Sequence, residues 1–190
     1  MNKYLLVIQP SEDVQEKMQT IKHDFAAQYE CPQAAYLKPQ IAVLQFEHHE
    51  MAETRFVHRI KNLLAAAAPY KIDIDGFDSF PSHTIFFKIK TTNALSELAK
   101  QLKPVQPFIR ADASNKPHFI TEPTITLANK LLPWQYEKAW LAYSHTPFSA
   151  SFMVNELVLL RRSEGKKGYQ AVAYYPLLGK RVQMQQACLF

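Results

Sequence analysis

The chain reads as an α+β protein: two duplicated β-α-β-α units with antiparallel-rich sheets around a central cleft. Three observations predict this. Apolar runs of period two alternate with stretches of helical period along the 190 residues. The order strand, helix, loop, proline-led strand, helix occurs twice with similar spacing: Tyr4 to Gln40 is 36 residues and Thr84 to Thr124 is 40, by subtraction of the residue numbers. The two proline-led stretches, KPQIAVLQF (38–46) and EPTITLANKL (122–131), each place the residue after proline and the residue two places later on one strand face. Two copies of such a unit bring these strands together across a pseudo-twofold and leave a cleft between the sheets. The expected organisation is one domain, residues 1–190, with two pseudo-symmetric lobes.

In order, KYLLVIQP (3–10) is a near-continuous apolar run ended by Pro10, suited to a strand in the middle of a sheet. Ser11 and the acids Glu12 and Asp13 suit a helix start, and Val14, Met18, Ile21 and Phe25 recur at helical spacing to about residue 27. After the strand at 39–46, a helix is expected from about Glu50 to Ala67, with a stripe of Phe56, Ile60, Leu63, Leu64 and Ala67. Pro69 stops it. YKIDIDGFDSF (70–80) alternates Ile72 and Ile74 with Asp73 and Asp75, as a strand with one wet face does, and HTIFFKIK (83–90) reads as its hairpin partner. TTNALSELAKQLKP (91–104) is helical by capping residues and by the stripe Leu95, Leu98, Ala99, Leu102.

A long loop, 105–121, follows; its Phe108, Arg110, Lys116, His118 and Phe119 make it a candidate lid or rim. Beyond the second proline-led strand, Pro133 opens a helix whose Tyr136, Ala139, Trp140 and Tyr143 share a face. ASFMVNELVLLRR (150–162) and GYQAVAYYPL (168–177), joined by SEGKKG, read as a closing hairpin. The tail KRVQMQQACLF carries no assignment.

Composition narrows the function classes. A hydrophobic content of 47% supports a packed core. The longest apolar stretches, such as LLAAAAP (63–69), fall short of a membrane span, and MNKYLLVIQP is too short a run for a signal peptide, so a soluble, cytoplasmic protein is expected. Cys31 and Cys188 are far apart and lack ligand-spaced neighbours, which predicts free thiols and no zinc site. A formal charge of +5 favours anionic partners. Only four glycines are present, scattered, so no phosphate-binding glycine loop is available.

KPQIAVLQF and EPTITLANKL, in this duplicated layout, resemble the two motifs of the two-histidine phosphoesterase superfamily, which includes 2′-5′ RNA ligase-like proteins and RNA cyclic phosphodiesterases; GYQAVAYYPL resembles its closing strand. The resemblance implies a bilobal fold, no cofactor and no metal, and a cleft in which two histidines exchange protons with a phosphodiester while hydroxyls two places along hydrogen-bond its oxygens. This chain departs from the pattern. Gln40 and Thr124 stand at the histidine positions and Ala42 at the first hydroxyl; Thr126 matches. An amide and an aliphatic hydroxyl do not titrate near neutrality, but both can hydrogen-bond a phosphate or sugar. The expected ligand-binding residues are Gln40, Thr124, Thr126 and Lys130, and no residue is assigned as catalytic.

Three functions follow. One is a degenerate member that binds a nucleotide or RNA terminus. Another is an enzyme in which a substitute residue such as His118 restores phosphodiester chemistry. The third is a protein-interaction scaffold. Lys38, Arg110, Lys116, Arg161 and Arg162 are further phosphate-binding candidates, and Phe108, Phe119 and Tyr169 are candidate base-stacking rings. His48 and His49, with Glu47, Glu50 and His58, lack the spacing of ligands on one helix face. His83 is expected at a strand edge bonded to backbone, His23 on a solvated helix face, and His145 in a turn before Pro147.

Overall fold

The protein is seen in a computed structural model that describes residues 1–112 and 115–179. The tail 180–190, with Cys188, and two residues of the expected rim loop lie outside the described residues. The elements run β1 (Asn2–Ile8), α1 (Glu12–Gln28), α2 (Gln33–Tyr36), β2 (Ile41–His48), a 3-10 turn (Glu50–Ala52), α3 (Glu53–Leu64), β3 (Tyr70–Phe80), β4 (Thr84–Ile89) and α4 (Thr92–Leu102). They continue with α5 (Gln106–Ile109), β5 (His118–Phe119), β6 (Ile125–Ala128), α6 (Pro133–Tyr143), β7 (Ser149–Val154), β8 (Glu156–Arg162) and β9 (Gln170–Pro176).

Two antiparallel sheets result, ordered β5-β2-β1-β8-β9 and β6-β4-β3-β7. Without β5 the orders correspond: a proline-led strand, the first strand of its unit, then two further strands. β1 is central, and its residues are buried on both faces, as its unbroken apolar run requires. Tyr4, Leu6 and Ile8 join the main core, while Leu5 and Val7 join Val158 and Leu160 in a smaller cluster on the opposite face. On β3, Ile72 and Ile74 are buried between outward aspartates.

The units interlock through their first helices. α1, which leaves the first sheet, packs against β6 and β7 of the second; α4, which leaves the second, packs against β2 and α3 on the first. The main core accordingly includes residues of both sheets.

Three elements differ from the sequence reading. The 150–162 stretch is two strands: β7 pairs with β3 in one sheet, and after Asn155 the chain enters the other sheet, where β8 pairs with β1 and forms the expected hairpin with β9. Continuous apolarity hides such a crossing, because both strands bury residues in the same core. The 105–121 loop contains α5 and the short β5, which pairs with β2. The helix expected from Glu50 begins at Glu53, after the 3-10 turn, and ends at Leu64.

Candidate functional site

The two proline-led strands meet across the cleft in a matched way. In β2 the partner register jumps from Leu6–Leu44 to Val7–Ala42, so Val43 is an extra residue. In β6 it jumps from Ile85–Ala128 to Phe86–Thr126, so Leu127 is extra. Each bulge falls three residues after the position that follows proline, Gln40 or Thr124. A bulge inserts an unpaired residue and re-aims its neighbours. Ile41 and Val43, before the phase change, and Leu44 and Phe46, after it, all reach the core. Ile125 and Leu127 do the same from β6, each buried side chain contributing about 1.5–3 kcal/mol.

The alternate residues line a pocket of about 210 Å³: Gln40 and Ala42 from one side, Thr124, Thr126 and Asn129 from the other, with Lys38, Glu122, Leu37 and Ile120 at its margin. Lys38 and Glu122 are its ionisable lining groups, and no lining residue is a histidine. The pocket presents amides, hydroxyls, one cation and one carboxylate, a set able to hydrogen-bond phosphate and sugar oxygens but lacking a group that titrates near neutrality.

Lys22 lies behind this wall. It occupies the buried stripe of α1, Val14, Met18, Lys22 and Phe25, where the sequence reading placed Ile21, and it is 0% exposed. Its Nζ donates to the carbonyls of Thr126 and of Leu127, the latter at 3.1 Å. β6 is an edge strand and bulges here, which leaves carbonyls without sheet partners. Desolvation by burial pulls the ammonium down to about 8. Spacing carried the signal: 14, 18 and 22 step by four, so a lysine stood in an apolar stripe.

The remaining candidates are distributed elsewhere. Lys130 follows the pocket strand with φ of 54°, is exposed, and is not a lining residue. His118 is exposed on β5 opposite Gln45, beyond the lining residue Ile120. Arg161 donates to Glu50 at 2.8 Å and to Glu53 at 3.0 Å, and Tyr4 donates to the same Glu53 at 2.8 Å, so this arginine anchors the start of α3 to the first sheet. Arg110 and Lys116 are exposed in the segment before β5.

Of the candidate rings, Phe108 carries Arg55 and Arg59 at 5.3 and 5.0 Å from its centroid, Tyr169 carries Arg162, and Phe119 packs on the core. An unforeseen aromatic pair is nearer: Phe86 lies opposite Thr126 in the register, on the same face, and packs against Phe80 with ring centroids 4.8 Å apart and planes tilted by 40°. His83 differs from its expected backbone bond, since its Nδ1 pairs with Thr84 Oγ1 at 2.6 Å while its carbonyl accepts from Leu131. Among the described residues no group of three or more His, Cys, Asp or Glu is placed to hold a metal ion, and no helix is long and apolar enough to cross a membrane.

Two antiparallel sheets with matched bulged, proline-led strands facing across a cleft define the scaffold of a two-histidine phosphoesterase. Residues 10–166 match the family described as the 2′-5′ RNA ligase superfamily, and the chain belongs to that superfamily. Its fold is similar to that of TT0787 of Thermus thermophilus, with a TM-score of 0.62 at 20% identity over 94% of this chain and 100% of that one. It is also similar to E. coli LigT complexed with 3′-AMP, with a TM-score of 0.63 at 16% identity over 93% and 98% of the two chains. No curated protein matches the sequence.

Proposed function

We infer that this chain is a degenerate member of its superfamily, which binds a phosphorylated ligand, a nucleotide or an RNA terminus, without two-histidine catalysis. The observation that carries the reading is the pocket lining: Gln40 and Thr124 face the cleft where the resemblance calls for histidines, among hydrogen-bonding groups that need not titrate. A phosphate there can accept from Thr126, Asn129, Gln40 and Lys38, and Glu122 can accept from sugar hydroxyls. Phe80 and Phe86 give an adjoining surface against which a base can stack. LigT has been crystallised with 3′-AMP, NADP+, ATP and phosphate, which supports a nucleotide-sized anionic ligand for the related cleft here.

The test pairs binding with turnover. Nucleoside 3′-monophosphates and 3′-phosphorylated RNA ends are expected to raise the melting temperature, because they bind only the folded state. A 2′,3′-cyclic nucleotide and a 2′-5′ linked dinucleotide are expected to remain intact on incubation. Turnover lost in His118→Ala would favour the enzyme, and no shift with any of these ligands would favour an interaction scaffold.

A further inference from the structure

An ammonium without a carboxylate in a protein interior demands a reason. Lys22 satisfies two carbonyls of a bulged edge strand, yet a neutral donor can do that without the penalty of burying charge. Burial holds its pKa below the ordinary lysine range, and among the described residues no neighbouring charge offsets this. Its surroundings agree. Neither β6 nor β7 carries an ionisable side chain, and α2 offers only Tyr36, which is exposed. On α1 the adjacent His23 and Asp24 point to solvent, and the Cys31 thiol beyond that helix is pushed up by burial, which keeps it neutral.

The opposite side of the same backbone is the pocket. Thr126, whose carbonyl Lys22 holds, turns its side chain into the cleft, and the charged groups there are Lys38 and Glu122. We propose that Lys22 is the buried counter-charge of the cleft, a positioning residue that fixes the bulge of β6 and attracts the bound anion through it, so that binding of a phosphate monoester and protonation of Lys22 favour one another. This rests on the reading of the cleft as a phosphate site. At close range in a poorly screened interior, one charge acts across a single strand without contact.

A phosphate monoester is fully ionised well above its second pKa of about 6, so a change of affinity in the alkaline range belongs to the protein. The experiment is titration calorimetry of the whole chain with adenosine 3′-monophosphate, in buffers of unlike ionisation enthalpy, from about pH 6.5 to about pH 10. Above about pH 7, where the phosphate is almost fully ionised, binding is expected to take up a fraction of a proton around pH 8 to 9, with affinity falling about tenfold towards pH 10, one unit of linkage. Lys22→Gln, which keeps a donor for the carbonyl and removes the charge, is expected to abolish both the uptake and the slope.

Binding without proton uptake in the wild-type chain overturns the role of Lys22 and leaves the cleft as a phosphate site. Uptake that persists in Lys22→Gln overturns it too, by assigning the proton elsewhere. An absence of binding at every pH overturns both readings. Should Lys22→Gln fail to fold, Lys22→Met takes its place in the same calorimetry, and uptake that persists there overturns the role of Lys22.

Discussion

Gln135 Nε2 donates to the carbonyl of Tyr29 at 2.9 Å, tying the first turn of α6 to the end of α1 across the two units. The same amide nitrogen donates to the Glu30 carbonyl at 3.0 Å, and Oε1 accepts from the Leu132 backbone N–H at 2.9 Å, so one side chain satisfies three main-chain groups. Gln135 is 5% exposed. Gln135→Leu fills the volume but strands those groups, and it is expected to destabilise the fold by about 2–4 kcal/mol. Urea unfolding measures this; a loss below about 0.5 kcal/mol, the range of ordinary surface substitutions, would show that water replaces the amide.

Gln40 and Thr126 line the pocket from opposite strands, and neither holds the core. Gln40→Leu and Thr126→Val should each weaken binding of adenosine 3′-monophosphate about 10- to 100-fold, the worth of one hydrogen bond to an ionised acceptor. The melting temperature of the free protein should not fall. Affinity unchanged from the wild type in both variants would place the ligand elsewhere.

How much of this was legible in the sequence depends on which period carried it. Strand alternation put Thr124 and Thr126 on one face and Ile125 and Leu127 on the other, and that is how β6 sits. The bulges at Val43 and Leu127 were not legible, because an extra residue is defined by its partner strand. Chain crossings were hidden too: Asn155 is one residue in an apolar run, yet there the chain changes sheets. Two buried polar residues, Lys22 and Gln135, stood in helical stripes that the reading filled with neighbouring apolar side chains. Periodicity finds a face, but only the facing carbonyls explain why a polar group belongs on it.

If Gln40 and Thr124 leave the cleft without two-histidine catalysis, imidazoles placed there should supply it. Gln40→His with Thr124→His places a titratable ring at each position after proline, with Thr126 still in place. Each acid–base group contributes about 10²- to 10⁴-fold, so the double variant should hydrolyse 2′,3′-cyclic AMP at least about 10²-fold faster than the parent, and each single variant far less. Chromatographic separation of the products reads this out. A folded double variant that still binds adenosine 3′-monophosphate but turns nothing over would show that the cleft lacks more than its two bases.

The stability of the chain should also carry the mark of Lys22. Its pKa is about 8 in the folded state against 10.5 for an unburied lysine, a gap of 2.5 units, or about 3 kcal/mol at 1.36 kcal/mol per unit. Below about pH 8 both states hold the proton, and the whole cost of the buried charge is felt. Between the two values the unfolded chain binds more protons than the folded one, so this contribution makes the fold more stable as pH rises. Burial raises Tyr4 and Tyr143 to about 12, and these phenols act in the opposite sense above the ordinary tyrosine value. They act equally in a Lys22→Met variant, so the difference between the two proteins isolates the lysine. From about pH 7 to about pH 10 that difference should move in favour of the wild type by about 2–3 kcal/mol, measured by urea unfolding at each pH. A difference that stays constant would mean that Lys22 is as solvated when folded as when unfolded, and that its ammonium carries no penalty for a ligand to relieve.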